Sequence, residues 1–241
     1  MDLGIEGKVA LVTAGSKGLG RATALALAGE GVRVMISGRN TSTLAAAKKT
    51  AAAAGVDVEV CAGDVTDPDE PARLVAATVE RFGGLDILVA NAGGPPPGRA
   101  LDLTDEAIDA ALNANLTTSI RLVREAVPHM RTAGWGRICC ITSYTVKQPS
   151  PALALSNTAR TGLWAWIKTA AQDLAADSSG ITLNMLAPGP HATDRMKELG
   201  GAGVMGDPAD FGAVATFLCS AQSAFVNGSA LVVDGGAILA L

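Results

Sequence analysis

Short runs of valine, isoleucine and leucine alternate with longer alanine-rich stretches along the whole chain of 241 residues. The runs are continuously apolar, which is the pattern of strands covered on both faces, as in a parallel sheet packed between helices. Hydrophobic residues make up 49% of the sequence against 17% charged, which is enough to fill such a core. We therefore predict an α/β fold, a single domain over 1–241 with a doubly wound, seven-stranded parallel sheet whose strands occupy 8–13, 32–37, 56–61, 85–90, 137–142, 181–187 and 230–233.

Charge and aromatic content argue against several classes of partner. The formal net charge is -4 and aromatic residues make up 3%, so the chain lacks the basic surface and the stacking side chains of nucleic-acid-binding proteins. The uncharged stretch 211–233 contains Ser, Gln and Asn side chains that would be costly in lipid, so we expect no membrane segment. No positively charged start precedes a long apolar run, and we expect a cytoplasmic protein without a secretory signal.

The cysteines show no spacing that is typical of metal or redox sites. There is no Cys-x-x-Cys pair, and two adjacent cysteines in a strand face opposite ways. We predict reduced, buried thiols and no metal site for Cys61, Cys139, Cys140 and Cys219.

A glycine-rich turn joins the first predicted strand to the first predicted helix. In that position glycines allow a tight turn and close approach of a ligand to the backbone, and the free amides of the helix start attract a pyrophosphate. Such a turn also occurs without a nucleotide, so a purely structural role stays open. The turn is 13–20, with the sequence TAGSKGLG.

Further landmarks follow this turn in order along the chain. They are Gly63-Asp64-Val65 at the end of the third strand, Asn91-Ala92-Gly93 at the end of the fourth, Asn115 in the next helix, and Pro188-Gly189 before Thr193. Together with the closing VDGG at 233–236, this set resembles the short-chain dehydrogenase/reductase family over essentially the whole chain. The resemblance implies a Rossmann-type fold and an oxidoreductase that uses a nicotinamide cofactor.

The resemblance also implies which residues contact the cofactor. One departure is Ala14, which stands where the family usually has its first glycine and adds a methyl group without removing an amide donor. The implied contacts are Gly15, Ser16, Lys17, Gly18 and Leu19 for the phosphates, Asp64 and Val65 for the adenine, Asn91, Ala92 and Gly93 for its ribose, Thr193 for the carboxamide, and Pro188, Gly189 and the His191 backbone for the nicotinamide.

The residues after the second strand indicate which form of the cofactor is used. An NAD enzyme of this fold normally has an acid there to bind the ribose 2′-hydroxyl, but this chain has Gly38 followed by Arg39. Lys17 in the phosphate turn adds a second cation. We therefore predict NADP(H), whose 2′-phosphate these cations would bind, although both could also be ordinary surface charges.

The expected catalytic residues are only partly present. Family members carry a Ser, then a Tyr about thirteen residues later and a Lys four beyond it on the same helix face. Here the Ser is Ser143, the Tyr place holds Ser156 and the Lys place holds Arg160. A serine hydroxyl is a far weaker and shorter acid than a phenol, and a guanidinium is a poor proton shuttle, although Arg160 could hold the nicotinamide ribose.

Other residues could contribute to the chemistry. Tyr144 is a candidate proton donor, but it is followed by Lys147 at three residues in a loop and would not share the helix-face geometry. His191 abuts the expected nicotinamide position, with a side chain that either donates a proton or points away. Ser143 can hydrogen-bond a carbonyl oxygen as charge develops, and Asn115 would keep its family place in a water chain.

The segment that covers the substrate in relatives is short here. Only a few glycine-rich residues separate Arg195 from Asp207, so we expect a shortened lid near 195–207 and a more open pocket. The absent tyrosine ring frees further volume beside the nicotinamide. Both changes favour a large, flat substrate, and the prolines at 95–97 would form either a stiff wall of its pocket or a plain rigid loop.

These features lead to one main functional hypothesis and two alternatives. The missing tyrosine and short lid resemble the simocyclinone-type ketoreductases of angucyclinone antibiotic pathways, which implies NADPH-dependent reduction of an aromatic polyketide ketone with the proton supplied by a neighbouring substrate phenol. The alternatives are a β-ketoacyl or small-ketone reductase with a protein or water donor, and a non-catalytic NADP-binding sensor or scaffold. The resemblance also implies a homo-oligomer formed through the helices that carry 105–130 and 156–176.

Overall fold

The computed structural model describes residues 1–201 and 203–239 of the chain as one α/β domain. Its seven strands are all parallel and lie in the order β3-β2-β1-β4-β5-β6-β7, which confirms the predicted doubly wound sheet. The strands are β1 (Val9–Val12), β2 (Arg33–Gly38), β3 (Val58–Ala62), β4 (Ile87–Ala90), β5 (Gly136–Ile141), β6 (Ile181–Pro188) and β7 (Ala230–Val233).

Helices cover both faces of this sheet. One hydrophobic core includes Leu74, Leu122 and Leu163 from helices α3, α5 and α6, and the core on the other face includes Leu27 and Phe211 from α1 and α8. The helices are α1 (Gly18–Gly29), α2 (Thr41–Ala53), α3 (Glu70–Phe82), α4 (Asp105–Leu112), α5 (Thr118–Ala133), α6 (Ala154–Ala176), α7 (Asp194–Glu198) and α8 (Pro208–Leu218).

β1 and β2 begin one residue later than their apolar runs predicted, and β3 and β4 begin two residues later. Val56 hydrogen-bonds through its amide to the Ala51 carbonyl and so belongs to the end of α2, which delays β3 to Val58. Before β4, the Asp86 carboxylate accepts hydrogen bonds from the Val9 amide at 2.9 Å and from the Lys8 amine at 3.1 Å. An apolar run therefore marks a buried segment more reliably than it marks the first residue of a strand.

The strand order places the candidate site at one edge of the sheet. The chain passes from β3 at one end of the sheet back to β4, on the other side of β1, so the crossovers leave in opposite directions from β1 and β4. In doubly wound sheets ligands bind outside the carboxyl ends of the strands at this reversal point. The glycine turn after β1, the Asn91 segment after β4 and Ser143 after β5 all lie at that edge.

All four cysteines are free thiols, and three of them are buried as predicted. Cys139 and Cys140 lie side by side in β5 and face the two different cores. Burial raises the pKa of the Cys140 and Cys219 thiols to about 12, so both stay protonated. Cys61 is the exception to the predicted burial, because it lies in the edge strand β3 and is half-buried.

Residues 1–201 and 203–239 contain neither a membrane-spanning helix nor a metal-binding cluster. In that part of the chain no helix has both the length and the apolarity needed to cross a membrane. The same residues contain no group of three His, Cys, Asp or Glu side chains that could hold a metal ion.

Ala14 provides a test of backbone strain in the glycine turn. Its φ is +45°, in the left-handed region where a β-carbon is unfavourable. We expect Ala14→Gly to raise the free energy of unfolding by about 0.5–1 kcal/mol, the relief of strain exceeding the added entropy of the unfolded chain. Urea denaturation measures this change.

The matched control is Ala45→Gly on the exposed face of α2, where the backbone is helical. This substitution should lower the free energy of unfolding by about 0.5–1 kcal/mol. A loss of stability in both variants would contradict the strain at Ala14.

Candidate active site

The glycine turn is held closely against β2. The Gly15 amide donates to the Ser37 carbonyl at 2.9 Å, and a β-carbon at Gly15 would lie 2.8 Å from the Ile36 side chain. A β-carbon at Gly20 would lie 2.7 Å from the Ala14 carbonyl oxygen. Packing inside the protein therefore requires glycine at two positions of the turn, in addition to the tight turn and ligand approach that the sequence predicted for them.

The start of α1 presents free amides at this turn. Lys17 is the N-cap residue, and its side chain does not cap the helix. The first amides of a helix attract anions when no side chain satisfies them. Ser16, Lys17, Gly18 and Leu19 therefore have the arrangement expected of a phosphate-binding turn.

Asn91 ties the end of β4 to the same turn. Its amide donates to the Thr13 hydroxyl at 2.9 Å, that hydroxyl donates to the Asn91 carbonyl at 2.7 Å, and its side chain donates to the Ala14 carbonyl at 3.3 Å. A β-carbon at Gly93 would meet no atom within 4 Å. The backbone of Gly93 therefore borders open space, whereas the Asn91 side chain is occupied by the turn.

The end of β2 carries positive charge at the place where an acid would select NAD. Gly38 lies beside Ser16, since a β-carbon at Gly38 would be 3.3 Å from the Ser16 hydroxyl oxygen. Arg39 and Lys17 are both exposed, and neither is in an ion pair with an acid of the described residues. Both cations are available to an anion at this corner.

Asp64 and Val65 are fixed by their own surroundings. The Asp64 carboxylate accepts hydrogen bonds from the amide and the hydroxyl of Thr66, at 3.1 and 2.9 Å. The Val65 carbonyl accepts from the Thr118 hydroxyl at 2.9 Å, and the Val65 side chain is buried. These contacts connect the end of β3 to the start of α5.

The segment after β6 lies on the opposite side of the cleft. A β-carbon at Gly189 would lie 2.5 Å from that of Asp234, so Pro188 and Gly189 pack directly on the chain after β7. Thr193 begins α7, and its hydroxyl accepts a hydrogen bond from the Met196 amide at 3.3 Å. A β-carbon at Gly18 would be 3.6 Å from the Thr193 side chain, so this segment reaches the phosphate turn.

The His191 side chain points away from the cleft. The residue is 5% exposed, its Nδ1 lies 3.0 Å from the Gly189 carbonyl oxygen, and its ring packs edge-to-face on Phe211. Of the two orientations that the sequence left open, the structure has the one that leaves only the His191 backbone beside the cleft. The imidazole is therefore not placed to donate a proton to a substrate.

Arg160 connects α6 to the end of β5, two residues before Ser143. Ser156 and Arg160 lie one turn apart on α6, each only 7% exposed. The Arg160 Nη1 donates to the Ile141 carbonyl at 3.0 Å, two residues before Ser143. Burial, with a smaller effect from the charge of Arg195, lowers the pKa of Arg160 to about 10, so it remains a cation at neutral pH. The Ser143 hydroxyl accepts two hydrogen bonds from Thr145 and keeps its own proton for another acceptor.

Tyr144 is the chain's single tyrosine and does not occupy the family position. It begins a short 3₁₀ helix, Tyr144–Val146, separate from α6, and is half-buried. The Lys147 amine lies 5.4 Å from the centre of the Trp164 ring, so it is directed towards α6 and does not pair with the phenol as a helix neighbour would. Tyr144 and Lys147 therefore lack the geometry of the family's Tyr and Lys.

Asn115 lies in a π-helical turn, Asn113–Thr117, between α4 and α5. The residue is 2% exposed, and neither polar atom of its amide has a hydrogen-bond partner in the described structure. Single π turns within helices are frequent at functional sites. An unsatisfied buried amide is costly, which is a reason to assign Asn115 a role beyond packing.

Arg195 is a site residue that the sequence analysis did not assign. It lies on α7, and its Nη2 donates to the Pro95 carbonyl at 2.8 Å across the cleft. A β-carbon at Gly94 would lie 3.6 Å from the same guanidinium. The sequence feature that could have pointed to Arg195 is its position in the predicted lid.

The short lid is also fastened at its far end. The Gly206 carbonyl accepts from the Ala192 amide at 2.9 Å, and the Gly206 amide donates to Pro190 at 3.0 Å. A β-carbon at Gly206 would lie 2.9 Å from the His191 ring, which requires glycine there. Within 195–207, Ala202 lies outside the described residues, and the open pocket stays a prediction.

Fold and site together define a nucleotide-binding α/β protein with polar chemistry at the strand ends. The chain matches the family model described as "Enoyl-(Acyl carrier protein) reductase" over residues 13–237. It is also 33% identical to human "Dehydrogenase/reductase SDR family member 4" over 246 residues, which cover 96% of this chain and 88% of that protein. The chain therefore belongs to the short-chain dehydrogenase/reductase family of oxidoreductases.

Solved structures of reductases share the whole fold. The L-sorbose reductase from Gluconobacter frateurii, complexed with NADPH and L-sorbose, matches with a TM-score of 0.91 at 30% identity and 100% coverage of both chains. YwfH, described as an NADPH dependent reductase involved in bacilysin biosynthesis, matches with a TM-score of 0.90 at 25% identity, covering 97% of this chain and 99% of its own.

The buried charge of Arg160 leads to a stability prediction. Arg160→Met keeps a long side chain and removes a desolvated charge that no carboxylate compensates. We expect the free energy of unfolding at pH 7 to rise by about 1–3 kcal/mol. Because the pKa of Arg160 is lowered to about 10 in the folded state, the unfolded chain binds the extra proton above that pH. The advantage of methionine should therefore shrink as the pH rises above 10.

The comparison is made by urea denaturation of the protein without cofactor. Arg160→Lys is the control, because it keeps a buried cation and should not stabilise the protein. A methionine variant less stable than the unmodified protein would show that the bond to the Ile141 carbonyl outweighs the cost of the buried charge.

Proposed function

We propose that this protein is an NADPH-dependent ketoreductase that reduces a ketone of a polycyclic aromatic polyketide in antibiotic biosynthesis, with the proton supplied by a neighbouring phenol of the substrate. The observation that carries the proposal is the pair Ser156 and Arg160 on α6, with Arg160 bonded to the end of β5. The pair offers a short hydroxyl and a group that is cationic at neutral pH, but no phenol. This arrangement retains charge stabilisation and lacks a positioned general acid.

The residues present fit an NADP cofactor. At Gly15 and Gly20 a β-carbon would collide with neighbouring atoms, so the turn presents bare backbone below the start of α1. Arg39 and Lys17 supply two exposed cations for a 2′-phosphate, and Gly38 leaves no acid to oppose it. The solved structure of L-sorbose reductase with NADPH has the same fold, which supports the same cofactor here.

Bound NADPH supplies the hydride that reduces the substrate carbonyl carbon. The chain's own part is to hold the carbonyl oxygen at the Ser143 hydroxyl, whose proton is free for that bond. Arg160 would hold the nicotinamide ribose, with its charge beside the oxygen on which negative charge develops. Asn115 would bind a water molecule beside α6 through its amide, which has no other hydrogen-bond partner in the described structure.

The protein has no proton donor at the position where the family has its tyrosine. An alkoxide formed from an isolated ketone is strongly basic, and neither the Ser156 hydroxyl nor the Arg160 guanidinium is an adequate acid. A phenol next to the ketone is a much stronger acid, and its phenolate is delocalised over the ring system. A substrate that carries both groups therefore replaces the missing tyrosine.

A second candidate is the reduction of a β-ketoacyl compound or a small ketone with Tyr144 as proton donor. The observation in its favour is that Tyr144 follows Ser143 directly and is only half-buried. The structure supports a non-catalytic NADP-binding sensor less well than an enzyme. Ser143, Thr193 and Arg160 place polar groups at the reactive end of the cleft, and cofactor binding alone does not require them.

We also propose that the protein acts in the cytoplasm as a homo-oligomer. The support is the partial exposure of Trp164 and Trp166 on α6, whose rings pack on the core while one side stays accessible. Large aromatic side chains with an exposed face are enriched in subunit contacts.

Cofactor preference is tested at Arg39. Arg39→Gln should weaken the binding of NADPH by about 10-fold, the loss of one charge-assisted bond to phosphate. Binding of NADH, which has no 2′-phosphate, should not change. The dissociation constants are measured by titration of reduced-cofactor fluorescence.

Lys49→Gln is the matched control, because Lys49 is an exposed cation on neighbouring α2. It should bind both cofactors as the unmodified protein does. Equal affinities of the unmodified protein for NADPH and NADH would contradict the predicted preference.

The source of the proton is tested with a polycyclic aromatic ketone and its O-methylated counterpart. We expect NADPH consumption to be about 100-fold faster with the free phenol, the size of effect that general acids contribute. Tyr144→Phe should keep most of that rate. Equal turnover of both compounds, abolished in Tyr144→Phe, would instead assign the proton to Tyr144.

A further inference from the structure

We propose that Arg160 and Arg195, called here the guanidinium pair, form an oxyanion-binding subsite. It holds the phenolate that remains beside the reduced carbonyl after the substrate phenol has given up its proton. This inference rests on the proposed function and names the group by which the substrate is recognised. It also assigns a role to Arg195, a residue of the lid that neither the sequence motifs nor the fold assigns.

The two guanidiniums lie at the ends of adjacent strands. Arg160 donates to the carbonyl of Ile141, the last residue of β5, and Arg195 donates to the carbonyl of Pro95, in the segment after β4. β4 and β5 are hydrogen-bonded neighbours, with Ala90 opposite Cys140. Arg195 also lies near enough for its charge to lower the pKa of Arg160, so both guanidiniums belong to one part of the cleft.

Most of the hydrogen-bonding capacity of the pair is unused by the protein. A guanidinium has five N–H donors in a planar fork. Within the described residues, Arg160 makes one hydrogen bond and Arg195 makes one to a backbone carbonyl. Arg195 also lies 3.5 Å from Glu198, but that carboxylate is exposed on the same short helix and leaves the cleft side free.

The charge of the pair is not balanced inside the cleft. No carboxylate of the described chain pairs with Arg160, which is only 7% exposed. Other nearby cations are directed elsewhere, since Lys147 lies over Trp164 and Lys197 pairs with Asp194. The two positive charges repel each other, and burying an unpaired charge is costly. An anion bound between the two guanidiniums would offset both effects.

A planar oxyanion next to an aromatic ring is the ligand that fits this arrangement. In the proposed reaction the hydride forms a C–H bond at the carbonyl carbon, and the carbonyl oxygen takes the phenol proton. The phenol O–H bond breaks and its electron pair stays on oxygen as phenolate, while the cofactor is oxidised and the ketone reduced. The guanidinium pair would lie where that phenolate charge appears. A carboxylate presents the same chemistry, so the experiment distinguishes the two.

The experiment measures binding in the presence of NADP+ and involves no turnover. The probes are 1,2-dihydroxyanthraquinone, whose ring hydroxyl changes its visible absorption on ionisation, 1,2-dimethoxyanthraquinone, and anthraquinone-2-carboxylate. The variants are Arg195→Gln and the matched control Lys197→Gln, which removes one exposed charge from the same helix. Affinity is measured by calorimetry, and ionisation of the first probe by its absorption spectrum.

We expect the unmodified protein and Lys197→Gln to bind the dihydroxy probe about 10-fold more tightly than the dimethoxy probe, as for one charge-assisted contact, with a shift to the anionic spectrum. Arg195→Gln should lose both the preference and the shift while its affinity for NADP+ stays unchanged. A preference for the carboxylate that also depends on Arg195 would support the subsite with a carboxylate as its natural occupant.

Four results would overturn the subsite. These are no binding of any probe, equal binding of the phenol, ether and carboxylate, equal losses in both variants, and a loss of NADP+ affinity in place of probe affinity. The proposed function fails differently, through equal turnover of a phenolic ketone and its methyl ether. The binding measurement is therefore decisive whether or not the substrate donates the proton.

Discussion

The hydrogen bond from Arg160 to the Ile141 carbonyl holds a full positive charge inside the protein at the edge where β4 and β5 end. A desolvated cation there can be retained only if something other than stability favours it, because an apolar side chain of similar size would cost less. Around it lie Ser143 with a free hydroxyl proton, Asn115 with an unpartnered amide, and Arg195 reaching across from the lid. The same edge also contains the strained backbone of Ala14. Unfavourable features concentrated at one edge of an otherwise well-packed sheet are characteristic of a site maintained for function.

Much of the fold and part of the site could be predicted from the sequence, because they depend on local pattern. Continuous apolar runs identify strands buried on both faces. Glycines of the turn are required by close contacts with the neighbouring strands and within the turn itself. Ser156 and Arg160 follow from counting along one helix, and the structure places them one turn apart on α6. The family comparison then confirms the class of enzyme and leaves the substrate open.

The remaining features could not be predicted, because they depend on packing between distant parts of the chain. The contact of Arg195 with Pro95 joins residues 100 positions apart, and no periodic pattern in the sequence predicts it. The His191 ring points away from the cleft because it packs edge-to-face with Phe211 of α8, and this orientation depends on a tertiary contact. The π turn at Asn115 depends likewise on the Thr118 hydroxyl, which bonds both the Val65 and Asn113 carbonyls. Each of these features changes what the cleft can do chemically.

The central claim is that the reaction's proton comes from the substrate and not from the chain, and the pH dependence of hydride transfer tests it most directly. The rate of a single turnover would be measured against pH for a series of phenolic ketones whose ring substituents change the acidity of the phenol. The account predicts that the rate falls as the phenol ionises, so that the break in the profile moves with the phenol pKa of each substrate. A break at the same pH for every substrate would show that the acid belongs to the protein and would contradict the account.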